Sequence, residues 1–441
     1  MRFLALTAAC VIGLCRYAAA QEPGAPQEPP ATERTEIVIS ATAAQKITVA
    51  SPPADVTDLI ADQVQREYSE TLRKDLEGMQ GLALLRDDLP SKTSADSFPE
   101  WLNIGCQWLI VSKVSQTTRD GVAVEAVVYD VGSGKRVAST SHGGNTSNYR
   151  CLAHMVADAV EEFLTGTPGV SNSRVVFCKE ESPGVKEIFQ ADRDGTNMVK
   201  LTNHRTLTMS PTVSRDGRLT YLSYLPTPTI WGQKVARGPN VRLYPPMDNP
   251  GVNVYTPVRS PDGGRIAFVQ TDGKGDADIM LLTVDTGMVR RLTSLNGINS
   301  EMCWNPAGNQ IAFTSDRDGT VQIYIMEDDG TNVRKLGMGG QYNSSPAWSP
   351  DGSMIAFVSR FEDNFDLFVY RFGEPYPFQI TTGFDNSENP AWSPDSRQLM
   401  FSSTRAGRNR LYATDLSGNR VERVLAQTQT GCQQPVWVRG R

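Results

Sequence analysis

Histidine is scarce in this chain of 441 residues: His142, His154 and His204 are the only three. A Ser-His-Asp triad or a histidine-ligated metal centre needs a histidine with partners, and the sequence pattern points to none. The chain also lacks a G-x-S-x-G elbow, a P-loop and a dinucleotide-binding fingerprint. We therefore expect no catalytic residue, no cofactor and no metal ion.

Cysteine is too sparse and too scattered for a disulfide framework. Of seven cysteines, two lie in the first fifteen residues, and the other five are spread along the chain. Those five are Cys106, Cys151, Cys178, Cys303 and Cys432. Such a set matches no CxxC metal site. Two interpretations stay open: one bridge, for instance Cys106 with Cys151, or buried free thiols.

Long hydrophobic runs are missing as well. The apolar stretch from Phe3 to Leu14 is only about a dozen residues, too short to span a bilayer. With Arg2 before it and Ala18-Ala19-Ala20 after it, it predicts a cleaved signal peptide over residues 1–20. The mature chain would then act outside the cytoplasm. Lipid attachment at Cys15 is the less favoured alternative, because the residue before that cysteine is not small.

Basic residues are fewer than acidic residues in this chain. Lysine and arginine number 43 against 49 acidic residues, a formal net charge of -6. Because nucleic-acid binding needs a basic face, we expect no nucleic-acid partner. Charged residues make up 21% and aromatic residues 8%, typical of a globular protein, and the length favours two domains.

Composition and hydrophobic pattern divide the chain into three parts after the predicted signal peptide. Residues 21–45 begin with a proline-rich arm, and residues 46–168 alternate strand-like and helix-like patterns, which predicts an α/β domain. In that domain we expect one helix from Asp55 and a second, capped by Ser147, that ends at Gly166. The SHGGN segment at Ser141 favours a surface turn. From residue 171 to 441, short strand patterns alternate with Gly, Asp, Asn and Pro turns.

A repeat organises this second part. Copies of a phrase such as PAWSPDG recur at spacings of 46, 45, 44, 44 and 45 residues, measured at the position before Ser-Pro. Those positions are Val213, Arg259, Trp304, Trp348, Trp392 and Trp437. An apolar-x-aromatic strand follows each copy but the last, and one more stands ahead of all of them at Phe177. Four short strands in about 44 residues are typical of a β-propeller blade.

The two ends of the repeat indicate closure. The strand that contains Pro-x-Trp or its equivalent, as in PAWSPDG, is called the PxW strand. The copy at Phe177 has no PxW strand before it, and the copy at Trp437 has no further strand pattern after it. One incomplete start and one incomplete end make a complete blade, so the C-terminal strand closes a six-bladed propeller. The second copy, from Thr229 to Met247, is rich in Gly and Pro and predicts an irregular blade. We expect Trp348 to fill the contact between blades and Ser349–Gly352 to form a type I turn.

Polar residues precede each PxW strand. We expect these segments to be six loops that meet at one end of the channel, either as solvated loops or as a docking site for a protein. The candidate partner-binding residues are Thr256, Ser300, Glu301, Ser344, Ser345, Ser387, Glu388, Asn389, Gln433 and Gln434.

Acidic residues recur in the DRDGT and EDDGT segments, for example Asp192 and Asp194. Calcium binding is one interpretation, but the spacing does not match a D-x-D-x-D-G loop. Their position between two strands favours turn chemistry.

The secreted α/β domain followed by PAWSPDG and L-Y-x-x-D-x-x-G-x-x-x-x-L-T repeats resembles the TolB family, the periplasmic β-propellers of the Tol-Pal system. The resemblance implies a monomeric, non-enzymatic protein that binds the lipoprotein Pal at the propeller mouth, and so is peripheral to the outer membrane. It also implies a role in envelope integrity and constriction at division. Glu301 matches the acidic position of the family's N-x-E-P-x-W phrase.

The same resemblance assigns a movable N-terminal switch that contacts TolA to Glu36, Ile37, Val38 and Ile39. The alternative from another class is a propeller hydrolase or lyase that uses carboxylates at the channel mouth, Glu388 among them.

Overall fold

The computed structural model describes residues 46–57, 62–79, 81–85, 89–90, 93, 97–234, 238–247, 252–271, 277–294, 297–361, 364–383, 385–418, 421–425 and 428–440. The first unit is an α/β domain. Its strands are β1 (Ile47–Ala50), β2 (Asp55–Thr57), β3 (Leu82–Leu85), β4 (Trp108–Gln116), β5 (Gly121–Asp130) and β6 (Lys135–Asn145). Its helices are α1 (Asp62–Gly78), α2 (Phe98–Asn103) and α3 (Tyr149–Thr165).

The sheet of this domain has the order β3-β1-β4-β5-β6, with β2 paired to the far end of β4. Strand β1 runs parallel to β3 and β4, and β4, β5 and β6 form an antiparallel meander. Helices α1 and α3 cover one face, because their apolar residues recur at helical spacing. The buried core includes Tyr68, Leu72, Leu76, Val114, Val124, Leu152, Val156 and Val160.

Three local predictions in this domain were wrong. Asp55 begins strand β2, opposite Lys113, and the described helix that follows is α1, Asp62–Gly78. The SHGGN segment is the end of β6, with His142 opposite Val124, because the long partner β5 extends the antiparallel pairing through both glycines. Ser147 is not the N-cap of helix α3, because Asn148 is the residue directly before the helix. Asn148 Oδ1 accepts a hydrogen bond from the Asn145 amide at 2.7 Å.

The second unit consists of six four-stranded antiparallel sheets within the described residues. Five sheets run consecutively along the chain, and their strands are numbered in order from the axis outward. They are β10 (Thr208–Val213), β11 (Arg218–Tyr224), β12 (Pro228–Lys234), β13 (Val241–Tyr244); β14 (Asn253–Arg259), β15 (Arg265–Thr271), β16 (Ala277–Thr283), β17 (Val289–Arg291); β18 (Asn299–Trp304), β19 (Gln310–Ser315), β20 (Gln322–Glu327), β21 (Arg334–Lys335); β22 (Asn343–Trp348), β23 (Met354–Phe361), β24 (Asn364–Arg371), β25 (Phe378–Gln379); and β26 (Ser387–Trp392), β27 (Gln398–Ser403), β28 (Arg410–Asp415), β29 (Val421–Arg423).

The sixth sheet joins the two ends of the repeat region. It contains β7 (Ser173–Ser182), β8 (Val185–Asp192), β9 (Val199–Lys200) and the last strand of the chain, β30 (Cys432–Arg439). Strand β30 pairs antiparallel with β7, placing Val436 opposite Val176 and Trp437 opposite Val175. The predicted fold class is confirmed: an α/β domain precedes a six-bladed propeller that the C-terminal strand closes. The irregular second blade is also present, as a register shift between Ile230 and Trp231.

Aromatic residues at one repeat position fill the interior. Each lies on the second strand from the axis and is almost completely buried. They are Phe177, Tyr221, Phe268, Phe313, Phe357 and Phe401. Four stack on an aromatic residue of the third strand, with ring centroids 6.2 Å apart in Phe177–Phe189 and 5.9 Å apart in Phe313–Tyr324, Phe357–Phe368 and Phe401–Tyr412.

The repeated tryptophans join neighbouring blades. The indole Nε1 of Trp304 donates to the carbonyl of Val258, and that of Trp392 donates to Ala347, at 3.0 Å and 2.9 Å. Trp348 packs against an apolar cluster shared by two blades, as predicted. The turn after it is closed by the Gly352 amide bonding the Ser349 carbonyl at 2.9 Å, with Gly352 at a φ of 80°.

The α/β domain contacts one face of the propeller. Strands of a blade alternate in direction, so the turns between strands one and two and between strands three and four lie at the same face. Arg150 of α3 pairs with Asp194, in the turn between β8 and β9. Glu161 of α3 lies 4.0 Å from Arg397, in the turn between β26 and β27. The innermost strands therefore begin at the opposite, uncovered face.

The five cysteines at positions 106, 151, 178, 303 and 432 are free thiols, so the Cys106–Cys151 bridge is not formed. Among the described residues, no helix combines the length and the apolar character needed to cross a membrane.

Closure by β30 predicts a large effect of one substitution. Trp437 is 8% exposed, and its Nε1 donates to Ser173 Oγ at 2.6 Å. We expect Trp437→Ala to lower the free energy of unfolding by about 3 kcal/mol, because it removes a buried indole from the closing blade. Urea denaturation measures the change. Tyr376→Ala is the control, since that ring is 80% exposed, and a loss no larger in Trp437→Ala than in this control would contradict the closure role.

Candidate functional site

The channel ring is defined by one residue from each innermost strand, three positions before the repeated tryptophan or its equivalent. All six have a positive φ, between 40° and 54°. They are Ser210, Thr256, Glu301, Ser345, Asn389 and Gln434. None is a glycine, so each occupies a backbone region that side chains disfavour.

A β-bulge produces each of these conformations. The pairing register of every innermost strand shifts around the ring residue, for example between Ser300 and Met302 and between Glu388 and Ala391. A bulge inserts an extra residue and turns its side chain away from the regular alternation. Strained backbone of this kind costs on the order of 1 kcal/mol per residue and tends to gather at functional sites. Six such bulges at one level of the channel identify a candidate site.

Two ring side chains hydrogen-bond to the next blade. Glu301 Oε2 accepts from the backbone amide of Ser345 at 2.9 Å, and more weakly from Thr314 Oγ1 at 3.4 Å. Gln434 Oε1 accepts from the backbone amide of Ser210 at 2.9 Å. The two acceptors lie on opposite sides of the six-fold ring, three blades apart.

The residues after the ring complete the channel wall. Proline occupies five of these six positions, and Met302 occupies the sixth. The cavity bounded by both sets is about 160 Å³. Ligand pockets for small molecules are usually about 300–1,000 Å³, so this cavity is better suited to admit a protruding side chain than to enclose a substrate.

Two carboxylates determine the electrostatics at the site: Glu301 in the ring and Glu388, which directly precedes the ring residue Asn389. Burial raises the pKa of Glu301 above its ordinary value, although the hydrogen bonds from Ser345 and Thr314 oppose the shift. Burial also raises the pKa of Glu388, and repulsion from Glu301 adds to it. Removing the charge of Glu301 should therefore ease ionisation of Glu388.

The ten predicted partner-binding residues all lie within the innermost strands, and the prediction that they form loops was wrong. Bulges disrupt the period-two pattern that normally reveals a strand, and this is why the segments resemble loops in sequence. Five of the ten belong to the ring: Thr256, Glu301, Ser345, Asn389 and Gln434.

The other five predicted residues differ in exposure. Ser300, Glu388 and Gln433 are half-buried just before the ring, and Gln433 Oε1 accepts a hydrogen bond from Asn409 at 3.3 Å. Ser344 and Ser387 are 4% and 0% exposed, so their side chains are not available to a partner in this structure. The sequence prediction also missed Ser210, although it stands at the same offset in the repeat as the other ring members.

Two further predictions concern other segments. The proposed switch residues Glu36, Ile37, Val38 and Ile39 lie outside the described residues. The DRDGT segment at Asp192 forms a tight turn as predicted, with the Gly195 amide bonding the Asp192 carbonyl at 2.8 Å.

Comparison with known proteins gives consistent matches. Residues 35–137 match the family model of the TolB amino-terminal domain, and residues 161–440 match the model of the TolB beta propeller domain. A TolB homolog from Chlorobium chlorochromatii is 29% identical over 273 residues, 60% of this chain and 60% of that protein. The Tol-Pal system protein TolB of Anaeromyxobacter dehalogenans is 33% identical over 209 residues, 47% of this chain and 46% of that protein. The aligned regions thus span less than two thirds of each relative.

A solved structure shares the fold over most of the chain. The crystal structure of TolB from Acinetobacter baumannii superposes with a TM-score of 0.79 at 24% identity, covering 89% of this chain and 97% of that one. At this identity the likeness establishes the fold. The match to the propeller family model covers more than half of the chain, and with the amino-terminal model it shows that the chain belongs to the TolB family.

Proposed function

We propose that this protein is a non-enzymatic, periplasmic scaffold of the Tol-Pal system that docks the lipoprotein Pal at the channel ring. The observation that carries the proposal is the ring itself, six strained polar residues toward the face of the propeller that the α/β domain leaves uncovered. Strain at equivalent positions of all six blades indicates a constraint other than stability. Through Pal, the protein would support outer-membrane integrity and constriction at division.

The chemistry of the ring favours binding over catalysis. Its side chains are hydroxyls, amides and one carboxylate, and the three histidines are placed elsewhere. His142 bonds Thr140 Oγ1 at 2.8 Å, His204 bonds the Tyr221 hydroxyl at 2.9 Å, and His154 lies on α3. Among the described residues, the ring therefore has no nucleophile paired with an imidazole base. The proposal of a scaffold is preferred to a hydrolase or lyase on this ground.

Relatives provide the identity of the system. One of the matching proteins carries the name Tol-Pal system protein TolB, and both family models are TolB models. A contact of residues Glu36–Ile39 with TolA, and secretion through a cleaved signal over residues 1–20, remain predictions from the sequence.

Binding to Pal tests the proposal. We expect Glu301→Ala to weaken the affinity for the soluble domain of Pal about tenfold, because truncating a central contact commonly costs more than 1 kcal/mol. Isothermal titration calorimetry on the mature chain measures the dissociation constant. Asn389→Ala, two blades from Glu301 in the ring, should act in the same direction.

Glu374→Ala is the matched control for this experiment. Glu374 is exposed and follows β24, so it belongs to the face that the α/β domain contacts, and its loss should leave the affinity unchanged. Thermal melts check that each variant is folded. Unchanged affinity in both folded ring variants would exclude the channel ring as the docking site.

The raised pKa of Glu301 predicts a pH-dependent stability. The folded state binds this proton more tightly than the unfolded chain, so the stabilisation is complete below the ordinary pKa and is lost as the pH rises through the raised pKa. We expect the free energy of unfolding of the wild type to fall relative to Glu301→Gln as the pH rises from the ordinary pKa of a glutamic acid through the raised pKa of Glu301. Urea denaturation across this range measures it, and parallel pH profiles would show that Glu301 is not desolvated.

A further inference from the structure

A buried histidine lies where α3 meets the first blade. His154 is 2% exposed, and its Nδ1 lies 2.6 Å from Asp75 Oδ2 on α1. Its other ring nitrogen, Nε2, is buried and has no hydrogen-bond partner among the described residues. A carboxylate that accepts the Nδ1 proton fixes the tautomer and leaves the Nε2 lone pair free, which is the usual state of a metal-binding histidine.

Two carboxylates of the propeller meet this histidine. Asp192 ends β8, and Asp194 lies in the turn that follows. A ring nitrogen of His154 and one carboxylate oxygen from each aspartate all lie within 4.8 Å of one another. Because Nδ1 bonds Asp75, Nε2 is the nitrogen available to these oxygens. A cation the size of Zn²⁺ binds such ligands at about 2.0–2.2 Å, so ligand atoms this close need only small adjustments to enclose it.

The charges around the histidine also favour a cation. Four carboxylates interact electrostatically with His154 or with its partner Asp75. They are Asp75 itself, Asp158, Asp192 and Asp194. Two guanidinium groups face them, since Arg150 pairs with Asp194 and Arg174 lies 3.7 Å from Asp192. With His154 neutral, four negative and two positive charges leave a formal charge of -2. A divalent ion would neutralise it.

We propose that His154, Asp192 and Asp194 bind one divalent transition-metal ion, of which Zn²⁺ is the best match, and that this ion ties the α/β domain to the propeller. Imidazole with carboxylate suits Zn²⁺, whereas Ca²⁺ and Mg²⁺ prefer oxygen ligands alone. Asp194 Oδ1 already accepts two hydrogen bonds from Thr196. The Oδ2 atoms of Asp194 and Asp192 accept from Arg150 and Asn197, and each keeps a second lone pair with which it can coordinate the ion. Asp75 holds the imidazole in position through its hydrogen bond with Nδ1.

The ligands come from both domains, so the ion binds only when the two are docked. Binding to the native arrangement alone stabilises it by mass action. We expect free Zn²⁺ at about one hundred times its dissociation constant to raise the Tm of the mature, untagged chain by about 5 °C. Elemental analysis after dialysis should give one Zn²⁺ per chain, and Ca²⁺ should produce no comparable shift.

The three histidines supply matched variants. His154→Gln should abolish both the stoichiometric binding and the Tm shift, and the double variant His142→Gln/His204→Gln should retain both. Asp192→Asn is the second ligand variant, since its partly exposed site tolerates an isosteric amide even where His154→Gln impairs folding. Co²⁺ in place of Zn²⁺ should give visible d–d bands without the charge-transfer band of a thiolate ligand.

Several results would overturn the proposal. One is a wild-type chain that binds no Zn²⁺ stoichiometrically. Another is Zn²⁺ binding that survives both His154→Gln and Asp192→Asn, and a thiolate band with Co²⁺ would place the ion on a cysteine instead. A metal-independent, pH-dependent stability that His154→Gln removes would assign the site to a protonated imidazole held between Asp75 and the two propeller carboxylates.

Discussion

The pairing of β30 with β7 is the interaction on which the rest of this structure depends. It brings strands from opposite ends of the repeat region into one sheet and turns a row of blades into a closed ring. Without it, the edges of the first and last blades would be open, and unpaired strand edges are prone to association with other chains. Closure also fixes six innermost strands around a single axis.

Those six strands carry the channel ring, because each has a β-bulge at the same position. Six bulges at the same level line the channel with polar residues, and two of these, Glu301 and Gln434, bond the neighbouring blade. The strain is distributed over all six blades, while the buried aromatic residues of the second strands and the inter-blade tryptophan bonds supply the offsetting stability. The surface that we propose for partner docking is therefore held in place by contacts within and between blades, which would lower the ordering cost of binding.

Much of this architecture could be predicted from the sequence, and the reasons are specific. The repeat is visible because half-buried Trp348 and buried Phe357 occupy positions that recur in every blade, and the missing halves at Phe177 and Trp437 give the closure. The bulges could not be predicted, because a positive φ at Glu301 or Asn389 leaves no residue signature when glycine is absent. Position in the repeat was the only available signal, and it would also have included Ser210.

The same limit applied at the domain interface. Asp192 and Asp194 looked like turn residues, and they do form a turn. Nothing in their spacing indicates that His154, on a helix of the other domain, approaches them. Contacts across domains depend on packing, whereas spacing along the chain reveals local structure.

We propose different roles for the two faces of the propeller. One is contacted by the α/β domain through Arg150 and Glu161, and the other is the face at which we propose that a partner docks. A structure of the complex between the mature chain and the soluble domain of Pal tests this division most directly. The account predicts a Pal side chain entering the channel within hydrogen-bond distance of Glu301, on the face opposite α3. Pal bound to the α/β domain or to the outer strands of the blades, with the channel ring exposed to solvent, would contradict it.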